Sequence, residues 1–135
     1  MCCATLICTL VEPPYTTDKP DTSENQKGFE VHFGFPPPAD VTELYYYADT
    51  LGIDGTYQLG FKAEPATIEK IITENSLQPA DDCPPPTFAV EFTWWKNADL
   101  EALESCWVGG VEGKTATYLW YDEKTRQAWY LDYDL

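Results

Sequence analysis

The sequence predicts an α+β protein: a mainly antiparallel sheet packed against one principal helix, with a short second helix. Three observations lead there. Residues 41–64 and 115–134 each read as two aromatic and β-branched runs around a turn. Between them, residues 65–76 carry apolar side chains at helical spacing. Strands before and after a helix, without regular βαβ alternation, are the pattern of an antiparallel α+β layer. The length of 135 residues fits one domain, 1–135, with an irregular segment at about 12–27.

The elements follow in chain order. Met1 to Val11 is mostly apolar but too short to span a bilayer. It reads first as a strand, ATLICTLVE, and second as the end of a trimmed export or lipoprotein leader. In that second reading Cys2 or Cys3 would carry the lipid, although no Lys or Arg precedes the apolar run. EPPYTTDKPDTSENQK, residues 12–27, is a loop by composition. GFEVHFGF, residues 28–35, alternates through Phe29, Val31, Phe33 and Phe35, which predicts a half-buried strand. It places Glu30 and His32 on the opposite, polar face. Pro36, Pro37 and Pro38 stop it by removing amide donors.

In VTELYYYAD, Leu44 and Tyr46 would share one face and Tyr45 and Tyr47 the other. Asp54-Gly55 supplies a tight turn, and TYQLGFKAE, residues 56–64, returns as a strand. PATIEKIITENS begins with Pro65 in the first helical turn, where a missing amide costs nothing. Ile68, Ile71 and Ile72 form its apolar stripe, and each stabilises the fold by about 1.5–3 kcal/mol when buried, before entropy costs. QPADDCPPPT, residues 78–87, reads as a rigid loop. FAVEFTWW, residues 88–95, is either a strand or an irregular apolar loop, because Trp95 breaks the alternation. NADLEALES is a short helix capped by Asn97. CWVGGVEG is a glycine-rich turn, and TATYLWYD and RQAWYLDYD close the chain as a hairpin around residues 123–125.

Charge narrows the function classes. The net charge is −15, from 23 acidic and 8 basic residues spread along the chain. Such a field repels phosphate backbones and attracts basic protein surfaces. With no basic patch beside the aromatics, nucleic acid is not an expected partner. A membrane is expected only if the N-terminus is a processed, lipidated leader.

The chemistry-bearing motifs point to no cofactor and no metal. The five cysteines include no CxxC pair, and His32 is the only histidine. Cys83 and Cys106 read chiefly as two separate buried thiols, with a bridge between them as the alternative. Asp49 and Asp54 lack the ligand series of a calcium loop. Gly109-Gly110 and Gly113 lack the lysine of a phosphate loop. His32 is expected at the surface or rim, not in catalysis.

TYQLGFKAEPATIEKI, TWW and YLWYDEKTRQAWYLDY resemble small exported or lipoprotein-like bacterial domains. The resemblance implies export and brings no catalytic residues with it. The location expected is cytoplasmic or exported, without a choice between them.

The function expected is a non-enzymatic acidic binding protein, of inhibitor or immunity type, that engages a basic protein surface. The alternatives are a small exported or lipid-anchored structural domain and a carboxylate-dependent enzyme. Consecutive aromatics cannot all enter one face of a sheet. The binding surface is therefore expected at Tyr45, Tyr47 and Trp95, bordered by Asp49, Asp54 and Asp99. The rival is cover of these rings by the proline-rich loops 36–38 and 83–87.

Overall fold

The computed structural model describes residues 15–50, 55–81, 83, 89–103 and 105–135. The elements are α1 (Ser23–Phe33), β1 (Thr42–Asp49), β2 (Thr56–Lys62), α2 (Pro65–Glu74), β3 (Gln78–Ala80), α3 (Asn97–Glu101), β4 (Cys106–Gly109), β5 (Thr115–Asp122) and β6 (Gln127–Asp134). The strands form one six-stranded sheet in the order β1-β2-β6-β5-β4-β3, with every neighbour antiparallel. The protein has a mixed α+β fold, as the sequence predicts.

Both hairpins form where the alternation places them. Asp49 pairs with Thr56 across the first, and Asp122 with Gln127 across the second. The first strand or leader expected before Val11, and the turn at Asp54, lie outside the described residues.

The largest departure is α1. The strand expected over 28–35 is a helix to Phe33, and the expected loop over 12–27 gives way to helix from Ser23 onward. Phe29 and Phe33 are four apart, so they suit a helix face as well as a strand face. They meet edge to face at 4.6 Å, whereas Val31 turns outward and is 76% exposed. The caps decide between the two periods. The Thr22 side chain accepts from the Asn25 amide, and Gly34 adopts a left-handed φ of 86° with its N–H on the Glu30 carbonyl. Gly28 lets the helix approach the sheet, since a Cβ there would lie 2.5 Å from the Tyr46 ring.

Helices α1 and α2 cover one face of the sheet. Phe29, Phe33, Ile68 and Ile71 pack there against Leu44, Leu59, Phe61, Leu119 and Tyr130. The other face is covered by Cys83 and residues 89–103, with Trp95 and Leu100 against Trp120, Trp129 and Leu131. Residues 89–95 are therefore the apolar loop of the two readings, not a strand. Phe92 and Trp95 exchange backbone hydrogen bonds in a tight reversal.

Three devices fasten this cover. Gln58, fully buried on β2, acts as a strand-like partner: its amide donates to the Val90 carbonyl at 2.9 Å and accepts from the Val90 N–H at 2.7 Å. A disulfide joins Cys83 to Cys106 on β4, with Cα atoms 6.1 Å apart, which corrects the reading of two separate thiols. Trp95 donates from its indole nitrogen to Asn97 Oδ1 at 2.9 Å. Asn97 is thereby drawn away from the expected capping role, and Lys96 holds the cap position without a side-chain bond.

Two smaller corrections concern the far edge. Gln78–Ala80, expected as loop, adds to the sheet as β3, and Cys106–Gly109, expected as turn, is β4. Pro79 inside β3 is tolerated because that strand is an edge. The opposite edge, β1, is closed by residues 15–25. Tyr15 bridges to Ala48, and Asp21 and Asn25 both donate to the Leu44 carbonyl.

Candidate ligand groove

The register sends alternate residues of β1 to opposite faces. Leu44 and Tyr46 face the helices, while Tyr45 and Tyr47 face the cover. On the cover side Trp94 lies over Gly60 of β2, where a Cβ would come within 2.7 Å of its ring. Its indole stacks nearly parallel to Tyr45, at 5.4 Å and 7°, and to Phe92, at 4.9 Å and 4°. The glycine in the strand is what gives the indole room beside β2.

Tyr45 and Trp94 of this stack line one side of an open groove of about 1250 Å³, with Phe92 behind Trp94 and outside the lining. Trp129 of β6 contributes to the floor. Glu43 of β1 and Lys62 of β2 stand at one wall, Asp99 and Leu103 at another, and the β5–β6 turn brings Asp122, Glu123 and Lys124. Glu43 pairs with Lys62 at 3.4 Å. Asp99, Asp122 and Glu123 take part in no ion pair among the described residues.

Glu43 also sits at an irregularity of the β1–β2 ladder, between Thr42 and Tyr45, with φ of 50°. Bulges of this kind re-aim side chains beside binding sites. A non-glycine residue held in the left-handed region costs about 1–3 kcal/mol. The strain therefore lies on the groove rim.

The expected site residues divide. Tyr45 and Asp99, far apart in sequence, both line the groove. Tyr47 is only 8% exposed; it packs on Phe92, and its hydroxyl donates to Asp49 at 3.3 Å. Burial, followed by the Asp49 charge, raises the Tyr47 phenol above its ordinary value. Trp95 is 0% exposed, so it serves the core and cannot meet a partner directly. Asp54 lies outside the described residues. Among the described residues the 89–95 loop covers Tyr47 through Phe92, and Pro36–Pro38 do not; residues 84–87 of the other proline-rich loop expected as cover lie outside the described residues. Glu43, Lys62, Asp122, Glu123 and Trp129 were not singled out by sequence reasoning as the site, whereas the Trp94–Trp95 region was, and Trp94 lines the groove. The Trp94-Trp95 pair carried a signal, but choosing the outward ring required the reversal at 92–95.

A second polar centre lies on the helix face. His32 lies in the last turn of α1 with only 9% of its side chain exposed, which corrects the surface or rim expectation. Helical spacing turns it inward where a strand would have turned it out. Its Nε2 lies 3.2 Å from the Tyr46 hydroxyl and its Nδ1 3.7 Å from Asp132. Thr117 donates to the other Asp132 oxygen at 3.1 Å. Rings of Tyr57 and Tyr130 close around the imidazole at 4.8 and 5.8 Å. Burial pushes the Tyr46 phenol up to about 12, with Tyr57 and Asp132 adding to it. This arrangement keeps phenols protonated and joins a helix to a sheet through satisfied polar groups.

Comparison with models of protein families, with curated proteins and with solved structures finds no match to this chain.

Proposed function

We propose that this chain is a binding protein, not an enzyme, and that the groove receives a cationic segment of a basic protein partner. The observation that carries the reading is the convergence of Tyr45, Trp94 and Trp129 with the unpaired carboxylates of Asp99, Asp122 and Glu123 in one groove. Aromatic rings supply contact area at low entropic cost, and they attract cations over their faces. The volume of about 1250 Å³ exceeds the range of about 300–1,000 Å³ usual for small-molecule pockets, which favours a chain segment over a metabolite. The net charge of −15 would accelerate encounter with a positive surface.

An inhibitor or immunity-type role is one form of this activity, since filling the groove would cover a basic patch of the partner. The test is affinity capture at low and high salt, with two charge-matched triple variants. One combines Asp99→Asn, Asp122→Asn and Glu123→Gln in the groove; the other combines Glu30→Gln, Glu69→Gln and Glu112→Gln away from it. The reading predicts basic partners that are lost at high salt and lost by the groove variant alone. Equal retention by both variants, at every ionic strength, would refute it.

A further inference from the structure

We infer that the Cys83–Cys106 bridge is a reversible thiol–disulfide switch: oxidised, it holds the cover-side wall of the groove in place, and reduced, it lets that wall loosen. Its consequence for binding rests on the reading of the groove as a site for cationic segments; its effect on the wall does not. Four observations carry it. The loop closed by the bridge holds every described groove residue outside the sheet and its β5–β6 turn: Thr93, Trp94, Asp99, Ala102, Leu103 and Ser105. Access to the bond is asymmetric, with Cys83 half-buried and Cys106 only 1% exposed. Both cysteines, Trp95, Leu100 and Leu103 share one apolar cluster, whereas α1 and α2 pack in a separate cluster on the other face. Finally, Ala80 pairs with Cys106 across β3 and β4, and Cys83 follows Ala80 closely in the chain.

The separate clusters make loosening local. Gln58 and Trp95 fasten the first part of the wall without the bridge. The rest depends on α3, which is only five residues long and too short to persist without tertiary support. A dithiol supplies the electrons. Its thiolate attacks Sγ of Cys83, the more exposed residue, and the bond breaks with its electron pair on Cys106, which takes up a proton. The second thiol of the reductant then attacks the mixed disulfide, closes a disulfide within the reductant and displaces Cys83, which takes up the second proton. The pairing of Ala80 with Cys106 keeps the two thiols neighbours, so a disulfide reagent runs the same steps backwards.

The experiment compares the oxidised 135-residue chain with the same chain under a dithiol and with Cys83→Ser combined with Cys106→Ala, which cannot form the bridge. That variant keeps Cys2, Cys3 and Cys8, so a dithiol effect that persists in it comes from those thiols and counts against the switch. Amide hydrogen exchange reads the wall without any ligand. Reduction should speed exchange about tenfold at Asp99 and Leu103, whose N–H groups bond within the wall, and leave Gly34 and Asn75 at the ends of α1 and α2 unchanged. Reoxidation should restore the slow rates. Unchanged exchange at Asp99 and Leu103 would overturn the switch. Equal acceleration at Gly34 and Asn75 would make the bridge a fastener of the whole fold, and rates that stay fast after reoxidation would overturn reversibility. A peptide of four Arg-Gly repeats, used as a basic probe in calorimetry, should bind the oxidised chain about tenfold more tightly than the double variant. By reciprocity, saturating peptide should lower the midpoint potential of the bridge by about 30 mV. Equal binding to both forms would overturn the coupling. Binding to neither would overturn the cationic reading, while the exchange rates still decide the switch.

Discussion

Single side chains carry much of the organisation, and the buried polar ones carry it most visibly. Asn25 is fully buried, and its side chain bonds Tyr15, the Lys19 carbonyl and the Leu44 carbonyl. Asn25→Ala would remove the side-chain donor to the Lys19 carbonyl and one of the two donors to the Leu44 carbonyl, which keeps the Asp21 N–H, and it should cost about 1–3 kcal/mol in chemical denaturation. Gly60→Ala tests the groove floor, because its Cβ would meet the Trp94 ring at 2.7 Å. That variant should keep its fold but displace the indole and weaken cationic-peptide binding, as read by indole N–H shifts and calorimetry. The tyrosines set an alkaline limit. Burial first, then neighbouring charges, raises Tyr46 from 10.0 to about 12, and burial likewise raises Tyr130 and Tyr133. The protonated phenols are favoured in the folded state. Their contribution is therefore complete below the unfolded value near 10 and is lost as pH rises through about 12. Thermal melts should be flat in this respect up to about pH 10 and fall above it. An ultraviolet titration of phenolate should lag the unfolded chain over the same window.

At the scale of elements, what was legible in the sequence depended on whether one period explained a segment. The Ile68, Ile71 and Ile72 stripe fits only a helix, and α2 forms there. The aromatic runs of β2, β5 and β6 fit only strands. Phe29 and Phe33 fit both periods, and the outcome turned on Thr22, Gly28 and Gly34, whose roles are visible only as caps and as a close approach to Tyr46. Thr22→Ala should accordingly destabilise α1 by about 1 kcal/mol, measured by denaturation with helicity followed in the far ultraviolet. The segment covering the second face has no period, because it is held by tertiary fasteners. Its Gln58 clamp could not be read from a strand pattern, where a polar residue at that position signals solvent. The Cys83–Cys106 bridge closes a loop with a sequence separation of 23. Cys83→Ser with Cys106→Ala should lower stability by about 2–4 kcal/mol. The loss should be greatest in hydrogen-exchange protection of the cover, while α1 and α2 keep their relative protection.

For the whole molecule, charge and topology act together. A chain of net charge −15 repels itself, so added salt should raise its melting temperature even as it weakens association with a cationic partner. Opposite salt responses of stability and binding would separate self-repulsion from partner attraction in one buffer series. The sheet edges oppose strand-to-strand association: residues 15–25 occupy β1, and the three-residue β3 contains Pro79. The accessible feature that remains is the groove on the cover side. Tyr45 and Asp99 were legible as parts of it, since one lies in an aromatic run and the other in an acidic helix turn. Trp129 and Asp122 were not, because strand order alone brings the β5–β6 turn beside Lys62, and local patterns do not fix strand order. The most direct measurement of the central claim is an amide and indole NMR titration of the 135-residue chain with a peptide of four Arg-Gly repeats, used as a basic probe. The account predicts shifts concentrated at the Trp94 and Trp129 indoles and at the amides of Lys62, Asp99 and Thr125, with α1 and α2 unmoved. Shifts centred on the exposed face of α1, or spread evenly over the acidic surface, would contradict it.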